Sequence, residues 1–161
     1  MYGKILVGYD GSEGSRLALE HAIRLAQELN SGVSAIWIKA SLPHYPETVD
    51  EIEEEKDAAD EYFEKLKTQV GATAEQAGVE VEMECLPGNP AQLIVQYAEQ
   101  QGFDLIVIGS HGHSGLWGRL LGHTTDRISE HAHCSVLIVR GPGAKKESSG
   151  NEAGPSPAER T

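Results

Sequence analysis

The chain has 161 residues, a net charge of −12, 39% hydrophobic residues and two cysteines. That length is enough for one core burying roughly two thirds of the unfolded surface. The acidity argues against nucleic acid polymers and anionic lipid surfaces, which select basic footprints, and no run approaches the ~20 apolar residues of a membrane span. Cys85 and Cys134 lie far apart in apolar, strand-like runs, so both read as small buried hydrophobes rather than as a disulfide framework. From Met1 the sequence passes into a strand without a secretory pattern, so the expected location is cytoplasmic.

Lys4 to Tyr9 (KILVGY) is a short apolar run ending at Asp10-Gly11-Ser12, the pattern of strand, turn and helix N-cap. From Ser15 the apolar residues Leu17, Leu19, Ala22, Ile23, Ala26 and Leu29 recur at helical spacing, and Asn30-Ser31-Gly32 stops them. Val33 to Ile38 is the second strand. The stretch from Ala40 to Thr48 holds Pro43 and Pro46 and reads as a loop.

A long helix follows from Asp50 to about Ala77, with Gly78 as its stop. The segment from Glu47 to Glu64, which leads into this helix and forms its first half, carries ten carboxylates against the single Lys56, a local net charge of −9. Such a run reads first as a solvated helix face, its N-terminal half turned to water; the alternative, a carboxylate metal site, lacks an EF-hand's spaced oxygens and central Gly, and the segment is also a candidate docking surface for a basic protein. Val79 to Leu86 (VEVEMECL) alternates apolar and acidic residues, which places a strand with one wet face at a sheet edge.

Pro87-Gly88-Asn89-Pro90 turns the chain into a third helix carrying Leu93, Ile94, Tyr97 and Ala98 and closed at Gly102. Asp104 to Ile108 is the fourth strand, continuous and apolar as a central parallel strand must be. After a glycine-rich loop, Leu116 to about His131 is expected as the fourth helix and Ser135 to Arg140 as the fifth strand. Residues 141–161 are rich in Gly, Pro, Ser and Ala without a large apolar side chain. They cannot offset their ordering entropy and are expected to form a disordered tail beyond a domain at 1–140.

Five strands alternating with four helices require right-handed crossovers, hence an α/β, doubly wound parallel sheet with helices on both faces. In such sheets ligands bind outside the carboxyl ends of the strands, where strand order reverses. Asp10 at the first strand's tip and Gly109 at the fourth's would then be neighbours. Asp10 can accept hydrogen bonds from sugar hydroxyls or hold Mg²⁺, while the Gly109–Gly112 backbone and the amides around Gly122 can bind phosphate. The alternative is that Asp10 only caps the first helix and the glycines only make turns.

These residues resemble the universal stress protein family. Gly109, Gly112 and Gly122 reproduce the Gly, two residues, Gly, nine residues, Gly spacing of its nucleotide-binding members, and ILVGYDGSE, LPGNP, DLIVIGSHG and CSVLIVR resemble its other landmarks. The resemblance spans about residues 3 to 140. It implies a Rossmann-like, adenine nucleotide alpha hydrolase-like fold: a five-stranded sheet in the order 3-2-1-4-5 with an ATP pocket between the first and fourth strands. Gly8, Tyr9 and Asp10 would line the adenosine side, Asp10 reaching the ribose and serving as a candidate Mg²⁺ ligand. Ile38 would pack on adenine, with Ile108 and Gly109 completing the wall. His111, Gly112, Gly122, His123 and Thr124 would surround the phosphates, with Arg119 in reach of the terminal one or exposed in a salt bridge. The family also implies a homodimer through the fifth strand, an unidentified protein partner and a role in stress response.

His123 departs from the pattern, which has a small hydroxyl residue there. Its bulk makes ADP or AMP stand beside ATP as the expected ligand. An alternative is a stress protein that acts through protein contacts and binds no nucleotide.

Other chemistries fit less well. There is no Gly-x-x-x-x-Gly-Lys-Ser/Thr loop, and Gly8, Gly11 and Gly14 do not make Gly-x-Gly-x-x-Gly. Ser110 and His111 are adjacent rather than convergent and no Gly-x-Ser-x-Gly elbow exists, so no catalytic residue is assigned and ATP hydrolysis is expected to be slow or absent. The pairs His111/His113 and His131/His133, with Cys134, do not assemble four converging zinc ligands from local spacing.

Overall fold

The computed structural model describes residues 1–40, 48–111 and 122–141. Its elements alternate: β1 (Lys4–Gly8), α1 (Glu13–Leu29), β2 (Gly32–Lys39), α2 (Val49–Ala77), β3 (Val81–Pro87), α3 (Pro90–Gln100), β4 (Leu105–Gly109), α4 (His123–His131) and β5 (Ser135–Val139). All strand pairings are parallel and the order is β3-β2-β1-β4-β5. Strand order reverses between β1 and β4, so their carboxyl tips flank the crevice that this topology leaves open.

Alternate residues of the central strands feed two separate cores. Ile5, Val7, Leu105 and Val107 pack with Ala18 and Leu19 of α1 and with Leu66 and Val70 of α2. Leu6, Ile106 and Ile108 pack with Ile94 and Val95 of α3 and Ile128 of α4. Both faces are therefore dry, which explains why β1 and β4 read as unbroken apolar runs. β3 lies at the sheet edge as its alternation required, with Glu82 and Glu84 exposed.

Helix starts follow local capping chemistry. Ser12, Thr48 and Asn89 each accept a backbone N–H from their own first turn, of Ser15, Glu51 and Gln92 respectively, and Asn30 and Gly78 end α1 and α2 in the left-handed region. α2 is anchored by Leu66, Val70 and Ala74, whereas from Thr48 to Glu61 every residue but the half-buried Ala59 is exposed. The charged half of the helix is solvated, as its composition requires.

Two expectations need correction. Gly122 has an extended backbone (φ −66°, ψ 159°) and is the N-cap of α4, so no helix runs through it and α4 begins at His123, while the expected start at Leu116 lies outside the described residues. The Cys85 and Cys134 thiols are free and only half-buried rather than buried. The tail from 142 onward lies outside the described residues. Among the described residues no helix is long and apolar enough to cross a membrane.

Candidate functional site

A crevice of about 590 Å³ opens at the carboxyl rim between the tips of β1 and β4. Of the residues singled out from sequence, Gly8, Tyr9, Asp10, Ile38 and Ile108 line it, together with Gly109, His111, Gly122, His123 and Thr124. Gly112 and Arg119 lie outside the described residues.

The apolar wall comes from the α3/α4 side of the sheet: Ile36, Ile38 and Ile108, backed by Ile94 and Ile128. On the opposite side stand Tyr9, Trp37 and Tyr62, the last contributed by α2. Trp37 sits edge-on to Tyr62 with ring centroids 5.0 Å apart and stacks on Phe63 at 6.5 Å. Burial raises both tyrosine pKa values, opposed at Tyr9 by Arg16 and reinforced at both phenols by Asp10. Both hydroxyls are therefore protonated donors at neutral pH: Tyr9 donates to Gln69 Oε1 at 2.8 Å and Tyr62 to the Asp10 carbonyl.

Asp10 sits at the tip of β1. One of its carboxylate oxygens accepts the Ser12 N–H at 2.9 Å, so part of its role is the local turn foreseen as the alternative, while the residue also lines the crevice. Gly11 beside it has φ +84°, a conformation glycine adopts without strain.

The fourth strand's tip is tied to α4. The Gly122 N–H donates to the Ser110 carbonyl at 2.8 Å and the Thr125 hydroxyl to the Gly109 carbonyl at 2.8 Å, so the chain returns to the rim where it left. Contrary to the expectation that these adjacent side chains do not converge, His111 Nδ1 lies 3.1 Å from the Ser110 hydroxyl. α4 differs from the other three helices in having no side-chain cap, because its N-cap is Gly122. Gly122 thus has no side chain to accept from the first-turn N–H groups beside His123 and Thr124, both of which line the crevice. An uncapped helix start of this kind suits an anion.

Gly109 has a second reason to be glycine. A Cβ there would lie 2.7 Å from the Gly14 carbonyl carbon, and a Cβ on Gly14 would lie 2.4 Å from the His111 carbonyl oxygen. α1 therefore packs backbone against backbone on the β4 tip. Sequence reasoning missed Trp37 and Tyr62, whereas Thr125, expected beside Thr124 as a hydroxyl near the phosphates, does line the crevice. Nothing local in the chain connects Tyr62 with Asp10.

The chain matches the model of the universal stress protein family over residues 1–140. It is 38% identical over 154 residues to universal stress protein MJ0531 of Methanocaldococcus jannaschii, covering 91% of this chain and 86% of that one. Universal stress protein UspA from Lactobacillus plantarum has a similar structure, with a TM-score of 0.77 and 27% identity over 86% of this chain and 98% of that one. A universal stress protein in complex with cAMP superposes with a TM-score of 0.64 at 25% identity, covering 86% of this chain and 97% of that one.

Proposed function

Because this chain belongs to the universal stress protein family, we propose that its rim crevice binds an adenine nucleotide and that the protein is a nucleotide-responsive module with slow or no ATP hydrolysis. One observation carries this reading. A single volume of about 590 Å³, within the usual range for small-molecule pockets, combines an apolar wall, a carboxylate and an uncapped helix start. Those are the three surfaces that a base, a ribose and a phosphate require.

In this proposal the adenine packs on Ile38 and Ile108, the ribose hydroxyls donate to Asp10, and the phosphates meet the first amides of α4 with Gly109, His111, Gly112, His123 and Thr124 around them. Arg119 would reach the terminal phosphate. Asp10 is also the candidate Mg²⁺ ligand, its carboxylate being the hard oxygen donor that this ion takes. The cAMP complex of a structural neighbour supports an adenosine ligand in this fold.

Calorimetric titration with ATP, ADP, AMP and cAMP, with and without Mg²⁺, tests the proposal. The expected result is micromolar affinity for at least one of them, weakened at least tenfold by Asp10→Ala and by Gly112→Val. No binding at millimolar nucleotide would overturn it and leave a module that acts through protein contacts alone.

We also propose that β5, an edge strand with half-buried Val136, Leu137 and Ile138, joins two copies of the chain. Sedimentation equilibrium is expected to give the dimer mass; a monomer at micromolar concentration would refute this.

A further inference from the structure

We infer that Tyr62 is a positioning residue of the crevice: from α2, its hydroxyl fixes the turn that carries Asp10 and so couples ligand binding to that long acidic helix. The inference rests on the nucleotide reading, since Asp10 there contacts the ribose.

Three α2 residues at helical spacing, Tyr62, Leu66 and Gln69, hold the tip of β1. Tyr62 Oη donates to the Asp10 carbonyl. Gln69 Oε1 accepts from Tyr9 Oη at 2.8 Å. Between them, a Cβ on Gly11 would lie 2.8 Å from Leu66 Cδ2 and 2.9 Å from Tyr62 Oη, so α2 covers the turn with no room for a side chain. The i, i+4, i+7 spacing places all three on one helix face.

The turn closes on itself. With the Asp10 carbonyl held by Tyr62, the Asp10 carboxylate accepts the Ser12 N–H, and Ser12 in turn caps α1 by accepting from Ser15. Withdrawing the phenol removes this tie on the carbonyl and loosens the carboxylate's seat. The Tyr62 ring is independently fixed by its edge contact with Trp37, so loss of the hydroxyl alone leaves the packing in place.

Tyr62→Phe tests this with two readouts on the full chain: amide hydrogen exchange of Ser12 in the ligand-free protein, and calorimetric affinity for AMP and ATP. Trp37 emission, read in a Trp117→Phe background because the chain has two tryptophans, serves as the control that the ring remains seated. The expected result is Ser12 exchange faster by roughly threefold to tenfold and affinity weaker by a similar factor, the loss of about one hydrogen bond. Weaker affinity with unchanged Ser12 exchange would overturn the inference, because Tyr62 would then act by touching the ligand. Unchanged affinity in a protein whose parent binds would overturn it as well. If the parent binds no nucleotide yet Tyr62→Phe accelerates Ser12 exchange, the nucleotide reading fails and the α2 latch on the Asp10 turn stands.

Discussion

Gly14 lies in the first turn of α1, where alanine would ordinarily favour the helix by about 1 kcal/mol. Here a Cβ would meet the His111 carbonyl oxygen at 2.4 Å, backbone against backbone, with no flexible neighbour to give way. Overpacking costs about 1–3 kcal/mol, so Gly14→Ala is expected to lower stability by about 2 kcal/mol in urea unfolding. Gly71→Ala is the control. It lies within α2 with nothing within 4 Å of its would-be Cβ and should gain ~0.5–1 kcal/mol. A stabilised Gly14→Ala would mean that the close approach of α1 to β4 is not real. This contact also shows what sequence can say about a glycine: its position at the strand tip was legible, its packing partner was not. Asp104 makes a different kind of tie, accepting the N–H groups of Gly3 and Lys4 at 2.8 and 3.0 Å. Burial pushes its pKa up, but these backbone bonds outweigh it and hold the carboxyl below its ordinary 3.8. A depressed native pKa means that the unfolded chain takes up the proton more readily. The stabilisation is therefore complete above about 3.8 and fades as pH falls toward the native value. Solvent screening limits it to at most about 1 kcal/mol. Asp104→Asn should flatten the acid limb of stability as pH falls below about 3.8, followed by urea midpoints.

Among the elements, α2 shows most directly how composition sets stability. Its buried half, with Leu66 and Val70 at 0% and 1% exposure, holds the helix to the sheet. Its exposed half places like charges one turn apart, as at Glu53/Asp57 and Asp57/Glu61. Each such i, i+4 pair costs about 0.2–0.5 kcal/mol at low salt, whereas an opposite pair contributes about as much. Asp57→Lys reverses the sign of both pairs and is expected to raise stability by about 1 kcal/mol, with the gain shrinking as salt is added. Thermal midpoints at low and high ionic strength check it. A gain independent of salt would locate the effect in helix propensity instead of charge. The strands were legible because period and flanking turns agree: β1 and β4 as double-faced runs, β3 as an alternating edge. The start of α4 was not. Apolar spacing continues from Leu116 through Leu120 and Leu121, while the decisive fact is the extended backbone of Gly122, held by its hydrogen bond to the Ser110 carbonyl across the rim. Such a bond depends on where the strand tip lies in space, which periodicity cannot report.

At the scale of the whole molecule, the crevice lies where the two cores meet. Tyr9 belongs to the α1/α2 core, Ile38 and Ile108 to the α3/α4 core, and all three line the same volume. The crevice thus joins elements that share the sheet but no other packing layer. A ligand seated there contacts both halves, so its binding free energy is gained only by the fully folded chain and adds to global stability rather than to one loop. For a single site the added stability is RT ln(1 + [L]/Kd), about 2.7 kcal/mol at a hundredfold excess over Kd. In a domain of this size each kcal/mol moves the midpoint by about 2–4 °C, so saturating nucleotide should raise the melting temperature by roughly 5–10 °C. The rise should grow with the logarithm of ligand concentration and should be small with adenosine if the α4 amides supply the phosphate contact. Asp10→Ala shifts the ligand-free midpoint by loss of the Ser12 turn, so the relevant quantity is the ligand-induced increment measured against each variant's own baseline. An increment for ATP that survives Asp10→Ala intact would remove the ribose role from that carboxylate. A melt unmoved by millimolar ATP, ADP, AMP and cAMP would remove the nucleotide from the crevice.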